Sequence, residues 1–458
     1  MDGPTQTLAA FVADIDYATI PSTVLDRALT LVLDSAASAV RARHDGDSTP
    51  ALMAGLNDVG IAPGRCGLFG DTATTAPAMA ALINGMLVHT LDFDDTHVPS
   101  STHTSAPVIP AALAAAQHVG ADGKTTLAGI VAGIEVMTRL GRALIPPHHY
   151  ARGFHPTATT GVFGSAAAAA RILGLDAENV ANAFGIGLSS AAGTLQFHAN
   201  GAWTKRWQVG QAAANGVTAA LMARNHFRGV TEAIEGQRGL IKVYTDDPDE
   251  TQLTAGLGEH WETASTSIKL YPACRFAHAA IDAVLDLCAE NKLSSDDITS
   301  VDVGLSHKAM AAVAEPAKRK VCPQNTVDGQ FSIYFLVAAA ILDGGIGWDT
   351  YERFLGDPKV EELARRVRPV HDEQVQRDYP KGMTGRATIN LVGGKKLERY
   401  VAYPKGDPEN FPSAQTVKAK ARGLVLPILG DDGAAAFEVA VSNIPNGGVN
   451  PVFAAAAK

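Results

Sequence analysis

Residues 89–103 read HTLDFDDTHVPSSTH, which sets three imidazoles and three carboxylates within fifteen positions. That density suits a metal site, an acid/base pair, or a polar loop with no chemistry at all. The spacing argues against metal: Asp92, Asp94, Asp95 and His97 match no EF-hand, H-E-x-x-H or H-x-E arrangement. Pro99 also breaks any helix that would set His97 and His103 on one face. Asp92 suits proton transfer better. It follows a helix expected to end near Thr90, whose negative end disfavours an ionised carboxylate, so enclosure would raise its pKa toward the working range of an acid or base. Asp94 and Asp95 read equally well as caps of the next turn or as partners of an arginine.

Other polar residues share a placement with His103, just before an expected helix. His103 precedes a helix from about Ile109, with Pro110 in its first turn. His155, in GFHPT, precedes a helix from about Thr157. Lys205 and Arg206 precede one from about Gln208, and Lys269 precedes one that follows Pro272. Helix N-termini carry unpaired N–H groups and partial positive charge, so each is a weak anion site. Singly, each is as readily an ordinary cap; together they suggest a pocket for a substrate with several carboxylates. The GIGLSSAAG stretch follows a helix and not a strand, which excludes a nucleotide loop. Cys274 has no base beside it in sequence, and His278 reads equally as packing.

These residues need a scaffold, and the chain has length for two or three domains at 458 residues. A composition 46% hydrophobic and 19% charged fits a compact fold. A net charge of -9 makes neither nucleic acid nor an anionic membrane a natural partner. No stretch has the ~18 apolar residues of a membrane span, and the N-terminus lacks a signal-peptide pattern. The four scattered cysteines form no C-x-x-C pair, so a cytoplasmic setting is expected.

Up to about residue 265 the apolar residues recur at helical spacing on faces rich in Ala and Gly, which predicts a large all-helical domain. ITSVDVGL then alternates as a strand, and RATINLVGGKKLERYVAY reads as a hairpin about Gly-Gly. GQFSIYFLVAAAILDGGI and TYERFLGDPKVEELARRV between them read as helices. Residues 266–404 are therefore expected to form a smaller α+β lid, and 405–458 to return to the helical domain of 1–265. The expected class is mainly α.

In this order, HTLDFDDTHVPSSTH, GFHPTATTGVFGSAAAAARILG, TKRWQVGQAAANG, KLYPACRFAH, GQFSIYFLVAAAILDGG and KGDPENFPS resemble the MmgE/PrpD family over nearly the whole chain. That family includes 2-methylcitrate dehydratase, cis-aconitate decarboxylase and iminodisuccinate epimerase. The resemblance implies a homodimer and a site without cofactor or metal, between domain and lid, for a small di- or tricarboxylate. Residue by residue, it implies a pocket of Asp92, Thr96, His103, His155 and Lys205, to which the lid adds Lys269, Cys274 and Tyr334. His103, Asp92 and Lys269 would be catalytic; the others would hold substrate, His155 and the lysines as cations. Gln208 stands where the family often has histidine, Thr104-Ser105 replace its usual small residues, and the opening loop is one residue longer than in the decarboxylases. The expected activity is a dehydratase-type lyase, with a decarboxylase or epimerase as the alternative and a non-catalytic binding protein as a further one.

Overall fold

The computed structural model describes residues 3–199, 202–379 and 381–458. These divide into two compact units, one of 1–268 with 413–458 and the other of 269–412.

The first unit is helical. Its long helices are Ser22–Asp45, Pro77–Thr90, Ser105–Val119, Gly123–Ala143, Pro156–Ile172 and Thr204–Arg224, and the C-terminal segment adds the helical stretch Ala414–Ser442, broken by a kink at Gly430. Small residues set their spacing. A Cβ built on Gly133 would lie 2.6 Å from the Gly164 carbonyl, and one on Gly164 would lie 2.8 Å from the Gly133 carbonyl. Backbones this close exclude any larger side chain, which is why the Ala/Gly faces lie inside this unit. A second crossing matters more for chemistry. The Gly210 Cα lies 3.2 Å from the position a Cβ would take on Gly85. That contact sets the start of Thr204–Arg224 beside the end of Pro77–Thr90, bringing Lys205 to Asp92.

The second unit carries a four-stranded sheet in the order 367–371, 298–305, 385–391, 396–401. Strand Ile298–Leu305 pairs in parallel with Val367–His371 and antiparallel with Gly385–Leu391, which continues into a hairpin with Lys396–Val401. Gly393 and Gly394, both at positive φ, make the turn as expected. Val301, Val303, Leu305, Ala387 and Ile389 pack with the helices His278–Asn291 and Ile333–Asp343 into one core.

Several expectations are corrected. The helix after His103 starts at Ser105, so Pro110 lies inside it. Lys205 and Arg206 sit within the first turn of Thr204–Arg224. Lys269 is followed by turns and a short 3-10 segment, with the helix proper starting at His278. The stretch TYERFLGDPKVEELARRV is two short helices broken where Gly356 takes φ 77°, followed by the edge strand Val367–His371. The lid boundary falls at 412 and not 404: the Lys405 N–H donates to Asp282 at 2.6 Å, and Asp407 pairs with Arg275, both within the second unit.

Candidate active site

The opening stretch is folded back on itself by its own polar groups. Asp92 takes a left-handed backbone, φ 52°, just past the helix Pro77–Thr90. For a residue with a Cβ this costs roughly 1–2 kcal/mol. Contacts on both sides hold it. The Lys205 ammonium donates to the Asp92 carboxylate at 2.8 Å, and the Lys420 ammonium donates to the Phe93 carbonyl at 2.8 Å while lying 3.8 Å from the Phe93 ring centroid. Lys420 is itself paired with the buried Asp34. Burial pushes the Asp34 carboxyl up to about 6, against the pull of Lys420.

Farther along, Thr96 forms an antiparallel bridge with Ser267, and His97 one with Thr102, so 98–101 is a tight turn. His97 is locked structurally, with Nδ1 on the Ser100 hydroxyl at 2.8 Å and Nε2 3.0 Å from Glu262. Asp95 caps the following helix by accepting the Thr104 N–H at 3.2 Å and the Ser105 N–H at 3.1 Å. That settles one of the two readings of this pair. The Thr96 hydroxyl is buried without a hydrogen-bond partner, an imbalance a ligand would relieve.

Asp94 takes the other role. Its Oδ2 accepts from His89 Nδ1 at 2.7 Å and lies 3.2 Å from His103 Nδ1. The His103 contact has the distance but not the alignment of a good hydrogen bond, and Asp94 Oδ1 has no partner. Burial opposes ionisation of Asp94, but the two imidazoles outweigh it and hold the carboxyl well below the usual range. His89 is wholly buried, and burial brings its pKa down to about 4 despite Asp94. At neutral pH the chain is neutral His89, ionised Asp94 and His103. With Asp94 as acceptor, His103 turns Nδ1–H to the carboxylate and leaves Nε2 to exchange a proton, the arrangement of a buttressed proton carrier.

His155 caps the helix Pro156–Ile172, and the His103 N–H donates to Thr157 in its first turn at 3.1 Å. The ring of His155 lies 6.3 Å from that of His89. Burial, followed by the repulsion of His89, Lys205 and His103, holds its pKa well below the ordinary value. His155 is therefore a neutral hydrogen-bonding group, not the carboxylate-binding cation expected from its place before a helix. Its Nδ1 lies 3.0 Å from Gln208 Oε1. For Asp92, Lys205 supplies a counter-charge that the helix-end reading left out.

Among the described residues, His89, Asp94 and His103 are the group whose donor atoms would suit a metal ion, within 4.8 Å of one another. Two of those donors are imidazole nitrogens turned onto the one carboxylate oxygen. Lys269, Cys274 and Tyr334 belong to the second unit. There Lys269 is buried, and the Cys274 N–H donates to the Gln330 carbonyl at 2.9 Å. His278 is hydrogen-bonded within the second unit, with Nδ1 3.1 Å from Arg275 and Nε2 3.2 Å from the Ala273 carbonyl. Within the first unit, Asp92, Thr96, His103, His155 and Lys205 lie on connected loops and helix starts. The sequence reading did not single out His89 and Asp94 as partners of His103, nor Lys420. The nearest signal was the shared fifteen-residue stretch; for Lys420 there was none.

The chain matches the MmgE/PrpD N-terminal domain over residues 6–253 and the MmgE/PrpD C-terminal domain over 271–446. It is 29% identical over 434 residues to a cis-aconitate decarboxylase of Aspergillus terreus, covering 90% of this chain and 87% of that one. It is 30% identical over 302 residues to the cis-aconitate decarboxylase of Homo sapiens, covering 64% of this chain and 61% of that one. A 2-methylcitrate dehydratase of Cupriavidus necator is 25% identical over 368 residues, covering 76% and 74%.

Proposed function

We propose that this chain, which belongs to the MmgE/PrpD family and is a lyase of that type, is a dehydratase acting on a small hydroxylated polycarboxylate similar to 2-methylcitrate. The observation that carries the reading is the His89–Asp94–His103 chain beside the Lys205–Asp92 ion pair. In this reading His103 is the proton carrier and Lys205 the cation.

Dehydration next to a carboxylate breaks an α C–H bond, forms the C=C bond and expels the β-hydroxyl. Asp92 takes the α-proton; protonated His103 gives its Nε2 proton to the departing oxygen, which leaves as water. Lys205 balances the charge that builds on the substrate carboxylate. It is shared with Asp92 until substrate arrives, so binding exchanges one anionic partner for another. Thr96 supplies a hydroxyl to the substrate, and Lys269, Cys274 and Tyr334 act with these residues, as the resemblance implies. No cofactor takes part in these steps. The protein works as a cytoplasmic homodimer; Trp207 and Met222 on the helix Thr204–Arg224 and Trp203 just before it, each more than two-fifths exposed, give a partner subunit apolar surface to cover. Among the described residues no helix is long and apolar enough to cross a membrane.

A second reading, decarboxylation of a cis-aconitate-like tricarboxylate, is favoured by the higher identity to the decarboxylases, 29% against 25%. Proton NMR in deuterated buffer separates the two. With 2-methylcitrate, dehydration removes the methine proton and the hydroxyl and gives a fully substituted C=C bond, read as collapse of the methyl doublet to a downfield singlet; with cis-aconitate, decarboxylation gives a product one carbon shorter. Turnover of cis-aconitate alone would overturn the dehydratase reading.

A further inference from the structure

Gln208 has a fixed amide orientation. Its Nε2 donates to the Thr194 carbonyl at 3.0 Å, and a carbonyl can only accept. Oε1 must therefore face His155 Nδ1, 3.0 Å away, and Nδ1 must be the protonated nitrogen. The backbone closes the same cluster, because the His155 N–H donates to the Gly193 carbonyl at 3.1 Å. A neutral imidazole with Nδ1–H has a bare Nε2, and that atom has no hydrogen-bond partner among the described residues. The depressed pKa of His155 keeps it in this state. Gln208 is a neutral acceptor, unlike the Asp94 carboxylate on His103, so it gives an imidazolium no charge to lean on. A bare, neutral Nε2 repels a carboxylate oxygen and welcomes a donor.

We propose that Gln208 is a specificity-determining residue that fixes His155 as a hydrogen-bond acceptor for a substrate hydroxyl, so that the site selects hydroxyl-bearing polycarboxylates over those lacking one. This rests on the reading of the pocket given above and narrows its substrate class. It also fits the elimination step: the hydroxyl donates to His155 while its oxygen receives the proton of His103.

The test compares citrate with propane-1,2,3-tricarboxylate, which differ in one hydroxyl, by calorimetric titration of the whole protein. Citrate is expected to bind roughly tenfold more tightly, the worth of one hydrogen bond. Gln208→Leu should remove that preference and leave the affinity for the hydroxyl-free ligand within about twofold, since only the acceptor geometry is lost. Histidine ¹⁵N spectra of the unmutated protein should show His155 protonated on Nδ1 and bare on Nε2, a readout independent of the variant's folding. The opposite tautomer, equal binding of both ligands, or a preference that survives Gln208→Leu overturns the inference and leaves the polycarboxylate reading standing. Binding of neither ligand overturns both.

Discussion

The buried imidazole of His89 should leave a measurable mark on stability. In the unfolded chain it takes up a proton near pH 6.5, whereas in the folded protein burial brings this to about 4. Its folded pKa is depressed, so as pH falls below 6.5 the unfolded state binds a proton the folded state refuses. Stability is then lost between pH 6.5 and 4 and levels off below. One proton bound by the unfolded state alone removes about 1.4 kcal/mol for each pH unit crossed, so the full loss is about 3 kcal/mol. The side chain has no solvent exposure, so screening does not reduce this. His89→Asn places an amide nitrogen near the Nδ1 position, keeps a donor for Asp94 and cannot titrate. Urea unfolding of both proteins between pH 7 and 4, followed by tryptophan fluorescence, supplies the comparison; Trp203, Trp207 and Trp261 lie in the first unit. The variant carries a constant cost for the lost ring, but its stability relative to the parent should rise by about 3 kcal/mol as pH falls from 7 to 4. Parallel profiles would refute the claim that His89 is neutral at neutral pH because it is buried.

Other outcomes follow from the same geometry. Lys420→Met strands the buried Asp34 carboxylate and should cost about 3–5 kcal/mol in chemical denaturation; adding Asp34→Leu should return a large part, and no recovery would show that the pair is not what matters. His103→Ala should lower kcat roughly 10²–10⁴-fold with a small change in KM, checked on whichever substrate the NMR assay identifies; near-normal turnover would remove His103 from proton transfer. Lys205→Ala should weaken citrate binding by roughly 2–5 kcal/mol, since a substrate carboxylate loses its counter-charge, and intact binding would count against Lys205 as the anchor. Exhaustive chelation should leave activity unchanged, whereas loss on chelation with recovery on adding a divalent ion would make His89, Asp94 and His103 metal ligands.

Local pattern was legible in the sequence wherever periodicity or turn chemistry was strong. Val301, Val303 and Leu305 alternate, and Ile298–Leu305 is a strand at the expected bounds with a register shift between Ile298 and Ser300, while the Gly-Gly hairpin sits where its turn residues put it. Val367–His371 was missed because an edge strand with an exposed face and an internal proline shows no such alternation. Pro110 suggests a first-turn residue and so a later helix start than Ser105, while the cap is a carboxylate ten positions before Ser105. In the site, the residue types were legible but not their pairing. Asp94 and Asp95 are neighbours in sequence, yet one meets two imidazoles and the other a helix end; only tertiary packing distinguishes them. The charge of His155 is hidden from the sequence for the same reason. A helix start suggests an anion site, but burial decides whether an imidazole there is charged.

The tie between Phe93 and Lys420 also bears on how the protein is made. The two residues lie 327 positions apart, and at a ribosomal pace of roughly 5–20 residues per second the second follows the first by tens of seconds. Through that interval the nascent first unit carries Asp34 without its ammonium and the 92–95 turn without its carbonyl clamp, while 269–412 emerges as an unbroken stretch able to close its own core. Biosynthesis thus runs inside out: the inserted stretch is made before the segment whose Lys420 clamps the 92–95 turn and pairs with Asp34.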